Sequence, residues 1–171
     1  MFFLARTTRE GSATLAEFPD CPGCQTFARP PRTIDAQAAE ALHGWIEATL
    51  DGGGLVPQPR GKLDLGRGEH ALPVPVDPGL AVRIALRWAR DDAKLSQATV
   101  ATRMGVTAQA VSRVERNAGA ASIATLARYA ASVGGRLEVR IEMAKPNAAR
   151  PVRPARVSEG SATGYGKRAR R

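Results

Sequence analysis

The chain has 171 residues, 24% of them charged and 43% hydrophobic, with a formal net charge of +9. That length suits one ordinary domain or two small ones and excludes a large multidomain enzyme, while the apolar share is enough to bury a core. No apolar run reaches the roughly 18–20 residues of a bilayer span, so no membrane partner is expected, and the short apolar start, Met1 to Ala5, lacks the basic and apolar regions of a signal peptide.

The charge is unevenly placed. Residues 1–76 carry seven basic and nine acidic side chains, a balance of −2. Residues 77–143 carry ten and six, +4, and residues 144–171 carry eight and one, +7. The last stretch is rich in Arg, Pro, Ala, Gly and Ser and nearly free of large apolar side chains. It cannot offset its own ordering entropy, so a disordered basic tail is expected. A basic excess of this kind points to a polyanionic partner. Two cysteines make no disulfide framework, and the expected location is the cytoplasm.

In chain order, Phe2 to Thr8 and Ala13 to Phe18 are β-compatible runs, with a hairpin loop at Arg9 to Ser12. Pro22-Gly23 predicts a type II turn, because Pro fixes the first φ and Gly accepts the positive second one. Gln25 to Ala28 continues as a third strand. Residues 35–50 read as a helix: Ala38, Leu42, Trp45, Ile46, Thr49 and Leu50 share one face, Thr33 or Asp35 caps the start and Gly52 ends it. Residues 51–70 hold six glycines and two prolines, which forbids a helix and predicts a flexible loop. Ala71 to Val76 is extended, and its prolines confine it to a sheet edge. The order is β-β-β-α-β, a small α+β sheet with one helix on one face.

The run Phe18-Pro19-Asp20-Cys21-Pro22-Gly23-Cys24-Gln25-Thr26 resembles the hallmark of HicB-type antitoxins, and the following helix and Gly54 to Pro59 match the same pattern in order. The resemblance covers roughly residues 1–80. It implies a partial RNase H-like sheet without catalysis, over residues 1–76, and a HicA-like ribonuclease toxin as partner. It does not say which residues touch the toxin. The segment from Thr26 to the helix is longer than the family's, and Ala28 stands where the family usually has Gly.

Further on, Asp77-Pro78 gives an N-cap followed by Pro at the first helical position. Leu80, Ala81, Ile84, Ala85 and Trp88 form a helical stripe. Ser96 caps a second helix running to about Met104, and Gly105 supplies a left-handed turn. Thr107 caps a third, with Ala110, Val111 and Val114 inward. Ser122 caps a fourth, with Ile123, Leu126, Ala127, Ala130 and Val133 on one face, and Gly134 stops it. Two short helices joined by a tight Gly turn form a helix-turn-helix unit.

Residues 80–133 resemble the XRE (Cro/cI-type) helix-turn-helix family through Leu95-Ser96-Gln97, Val100-Ala101, Met104-Gly105-Val106-Thr107 and Val111-Ser112-Arg113-Val114-Glu115. The resemblance implies that Gln97 bonds a DNA phosphate and that the third helix enters the major groove. Its DNA-facing set is Gln97, Thr107, Ala108, Gln109, Ser112 and Arg113. Gln can pair bidentately with adenine, Arg with guanine, and an Ala methyl can touch a thymine methyl.

Residues 136–143 alternate strictly, with Leu137, Val139, Ile141 and Met143 apolar and their neighbours charged. This predicts a half-buried strand that closes the 77–143 domain. A helical domain offers it no sheet, so pairing with the same strand of a second copy is expected, giving a homodimer or a higher oligomer.

Cys21-x-x-Cys24 invites a zinc or redox reading, but zinc needs four ligands, and His43 and His70 fit no finger spacing. A Mg²⁺ nuclease would need converging carboxylates, and the N-terminal strands offer only Glu17 and Asp20. No catalytic constellation or cofactor motif is present, so the chain is not expected to be an enzyme. The favoured function is an antitoxin that also represses its own operon by binding operator DNA. The alternative is a stand-alone regulator whose N-terminal part senses a ligand or dimerises.

Overall fold

A computed structural model describes residues 1–140. The predicted basic tail, 144–171, and the predicted dimer residues Ile141 and Met143 lie outside the described residues. A four-stranded antiparallel sheet is followed by a set of helices. The strands are β1 (Phe2–Glu10), β2 (Ala13–Glu17), β3 (Gln25–Ala28) and β4 (Glu69–Pro75), in the spatial order β3-β2-β1-β4. The helix α1 (Ile34–Asp51) lies between β3 and β4 in the chain. Its N-cap is Thr33, whose hydroxyl accepts from the Ala36 amide.

Alternation sorts each strand. Phe3, Ala5, Ala16 and Val74 are buried against Ala38, Leu42, Ile46 and Leu50 of α1. Val76 N–H donates to the Met1 carbonyl, so the alternate positions 74 and 72 also face β1. Pro73 and Pro75 therefore fall on the free edge of β4, where a missing N–H costs no ladder bond.

The turn after β2 is tightly closed. Phe18 N–H donates to Cys24 O at 3.0 Å, Cys24 N–H to Cys21 O at 2.9 Å, and Gly23 takes φ +80°, as a type II turn requires. Asp20 is buried and pairs with Arg60 at 2.7 Å. The segment between α1 and β4 has no helix or strand before Glu69, yet it is anchored at Gly53, Val56 and Arg60. Val56 is buried in the sheet core, and its carbonyl accepts from Trp88 Nε1 at 2.6 Å.

Four further helices follow: α2 (Pro78–Asp92), α3 (Gln97–Met104), α4 (Ala108–Arg116) and α5 (Ile123–Ser132), with a 3₁₀ turn at Ala118–Ala120. Asp77, Ser96, Thr107 and Ser122 each accept from amides of the first turn, as N-caps should. Gly105 ends α3 with φ 64°.

The helix α2 belongs to two cores. Leu80 and Ile84, with Trp88, pack into the sheet core. Leu86, with Val82, packs into a second core made with Val100, Met104, Val111, Leu126 and Tyr129. Each fully buried side chain of this size stabilises the fold by about 1.5–3 kcal/mol. Residues 1–138 form one compact unit for this reason.

One expectation is corrected. On α5, Ile123 is 64% exposed, and Tyr129, not Ala127, is buried beside Leu126. The inward face is rotated because Tyr129 has a buried polar partner for its hydroxyl. Of the strand expected over 136–143, the described residues Arg136 to Arg140 are not in a strand in the single chain. Leu137 packs on the helical core and Val139 is 64% exposed. No helix among the described residues is long and apolar enough to cross a membrane.

Candidate nucleic-acid interface

The α3-turn-α4 unit sets out the expected reading residues. With Val111 and Glu115 buried and Val114 half-buried, the other side of α4 is left to solvent. Ala108, Gln109 and Arg113 are exposed there, and Ser112 is half-buried. Thr107 accepts from Ala110 N–H at 3.2 Å, which leaves its own O–H free to donate outward. Gln97 stands at the start of α3, where the helix N-terminus favours an anion. The structure thus gathers Gln97, Thr107, Ala108, Gln109, Ser112 and Arg113 on one helix-turn-helix. It does not bring Leu137 and Val139 into a strand.

The residues that hold this face are ones the sequence pattern does not reveal. Glu115 is buried, with its side chain 3% exposed. Its Oε1 accepts from Arg90 Nε at 2.7 Å and from the Tyr129 hydroxyl at 2.7 Å. Its Oε2 accepts from Arg90 Nη2 at 3.1 Å and from Gln97 Nε2 at 2.8 Å. Burial alone would raise this carboxyl. Hydrogen bonds from Arg90, Tyr129 and Gln97, with the Arg90 charge, outweigh burial and hold it below the usual carboxylate range. Burial, and then the bond to Glu115, push the Tyr129 phenol well above its own range.

Glu115 therefore fixes the Gln97 amide. One Nε2 hydrogen points to the carboxylate and the other remains available to donate. The arrangement suits docking on a duplex: one aimed amide at a helix N-terminus, and a helix face with an amide, a guanidinium and a methyl group.

Arg103 Nη1 donates to Ser132 O at 2.9 Å, and Arg128 Nη2 to Met104 O at 2.8 Å. Each arginine satisfies a carbonyl at the end of the other's helix, locking α3 to α5.

Cys21 and Cys24 are free and buried in the sheet core. Burial, then the neighbouring Cys24 and Asp20, push the Cys21 thiol up to about 12, and burial pushes Cys24 to about 11. Among the described residues no three His, Cys, Asp or Glu side chains gather in a way that could hold a metal ion.

No curated protein matches the chain. Among solved structures, a chain of a "HicA3 and HicB3 toxin-antitoxin complex" is similar at 25% identity over 46% of this chain and 100% of that chain. Its TM-score is 0.38, and at that value the likeness carries no argument about fold or partners. The family model described as helix-turn-helix, HTH_3, matches residues 86–138, from the middle of α2 to just past α5. Residues 86–138 are a helix-turn-helix domain of the XRE type, the kind that DNA-binding regulators use.

Proposed function

We propose that the chain is a transcriptional repressor that inserts α4 into the major groove of operator DNA and also serves as the antitoxin of a toxin–antitoxin pair. The DNA half is carried by one observation: a matched helix-turn-helix whose reading helix leaves Ala108, Gln109 and Arg113 exposed while Glu115 holds Gln97 at the start of α3. Gln109 and Arg113 read base edges, Ala108 offers its methyl, and Gln97 and Thr107 bind backbone phosphates.

The toxin half rests on the Phe18–Thr26 motif, whose turn is closed by three backbone hydrogen bonds with Asp20 and both cysteines buried. The β-β-β-α-β order with one helix-covered face suits the partial RNase H-like sheet that the motif implies. In this reading the acidic N-terminal part covers a HicA-like, mRNA-cleaving toxin, and the chain acts in the cytoplasm without cofactor or catalysis of its own. It works as a homodimer, with residues 136–143 pairing across the two-fold axis.

The test is co-expression of the full chain with the small basic protein encoded beside it. The expected result is a co-purifying complex, rescue of growth from that protein, and a shift of DNA from the shared promoter. A shifted promoter without a complex would make the chain a stand-alone regulator.

A further inference from the structure

The helix α2 carries a row of arginines, Arg83, Arg87 and Arg90, at the spacing that places side chains on one helical face. Arg90 is taken up by Glu115. The other two reach the end of α1: Arg83 Nη2 donates to Asp51 Oδ1 at 2.7 Å, and Arg87 Nη2 to Gly53 O at 2.5 Å. Between them lies a cleft of about 140 Å³, lined by Asp51, Arg83, Arg87, Gln97, Ser112 and Arg116 among others. Two of these, Gln97 and Ser112, belong to the DNA-facing set, so the cleft borders the helix-turn-helix residues.

Its charges do not cancel. Glu115, at its floor, is matched by Arg90, and Asp51 by Arg83. Arg87 lies 3.7 Å from the already matched Glu115. Arg116 is exposed and has no hydrogen bond or ion pair among the described residues. The Arg83 Nε is buried without a hydrogen-bond partner. A second polar group is thus short of an acceptor at this place, beside the positive end of α3.

We propose that this cleft seats a DNA backbone phosphate, held by Arg116 and Arg87, and that Asp51 is its competitor for Arg83, so that the DNA interface runs off the helix-turn-helix onto the end of α1. The proposal rests on the DNA-binding reading of α4. The ligand is a phosphate of duplex DNA and not a free anion, because the cleft continues the surface on which Gln97 and Ser112 lie. Such a contact has no base preference and acts on all sequences alike.

The experiment measures binding of the full chain to a short duplex of scrambled sequence across a salt series. Wild type is compared with Arg116→Ala, Asp51→Asn, and Arg32→Ala as a control on an exposed arginine of the N-terminal part. Arg116→Ala should lower the slope of log affinity against log salt by about 0.9, the loss of one phosphate contact. Asp51→Asn, which removes an exposed carboxylate and frees Arg83, should raise affinity several-fold, and Arg32→Ala should change neither. An unchanged slope in Arg116→Ala, or no gain in Asp51→Asn, overturns the clamp. Titration with inorganic phosphate is the second arm: saturable binding that Arg116→Ala abolishes would make the cleft a free-anion site and overturn the backbone assignment. A wild-type chain with no salt-dependent affinity for duplex would instead remove the DNA reading on which the clamp rests.

Discussion

Removing the Glu115 carboxylate tests the interior of the helix-turn-helix most severely. In Glu115→Ala, Arg90 keeps its place with its side chain only 15% exposed but loses both bonds to the carboxylate. Tyr129 loses its 2.7 Å partner and Gln97 its anchor. Breaking a buried pair by deleting one member costs about 3–5 kcal/mol, because the other charge is left uncompensated. That is a large part of the roughly 5–15 kcal/mol that holds a domain folded. A melting temperature lower by about 10–20 °C is expected by circular dichroism, at a few degrees per kcal/mol for a unit of this size. The pH dependence follows from the direction of the carboxyl shift. Its pKa is depressed in the fold, so its contribution is complete above the unfolded value of about 4.3 and is lost as pH falls through the folded value. The gap in stability between wild type and Glu115→Gln should therefore be widest near neutral pH and narrow in acid. A Glu115→Ala variant melting within about 2 °C of wild type would refute the network as a source of stability.

Three further outcomes are expected. Trp88→Phe removes the 2.6 Å bond to Val56 O and should cost about 1 kcal/mol, seen as faster tryptic cleavage around Arg60 and Lys62; unchanged cleavage would mean the segment is held elsewhere. Cys21 and Cys24, with thiols near 12 and 11, should resist iodoacetamide at neutral pH in the folded chain and react on denaturation, whereas rapid native labelling would contradict their burial. Val139→Pro should turn a sedimenting dimer into monomer and weaken promoter binding, because two half-sites about 34 Å apart are no longer held together; an unaffected dimer would place the seam elsewhere.

What the sequence showed and what it hid follow from the range of each interaction. The helix starts were legible because a cap is local: Ser96, Thr107 and Ser122 each bond an amide three residues on. The sheet was legible because alternation and Pro22-Gly23 act within a few residues, and the edge position of β4 because prolines 73 and 75 lack a donor. Glu115 was not, since a glutamate in a helix reads as solvent-facing and its partner Arg90 lies on another helix. Tyr129 was missed for the same reason. The double use of α2 was hidden because its stripe, Leu80 to Trp88, looks the same whether it faces a sheet or a bundle. Leu137 and Val139 alternate as a strand should, but alternation names a face and not a partner, and Arg136 to Arg140 are not in a strand in the single chain. Of the DNA-facing set, Gln97 stands at the start of α3, Thr107, Ala108, Gln109 and Arg113 are exposed, and Ser112 is half-buried. Arg116 was passed over because only the cleft, formed with the end of α1, gives it a setting.

The most direct measurement is selection of duplexes from a random pool by the full chain, repeated with Gln109→Ala and Arg113→Ala. Wild type should enrich a recurrent sequence. Each variant should lose about 1–3 kcal/mol of discrimination at its own base pair, while Gln97→Ala weakens binding to all sequences alike. If no sequence is enriched, or if the Gln109/Arg113 double variant enriches the same sequence as wild type, α4 is not the reading helix and the account fails.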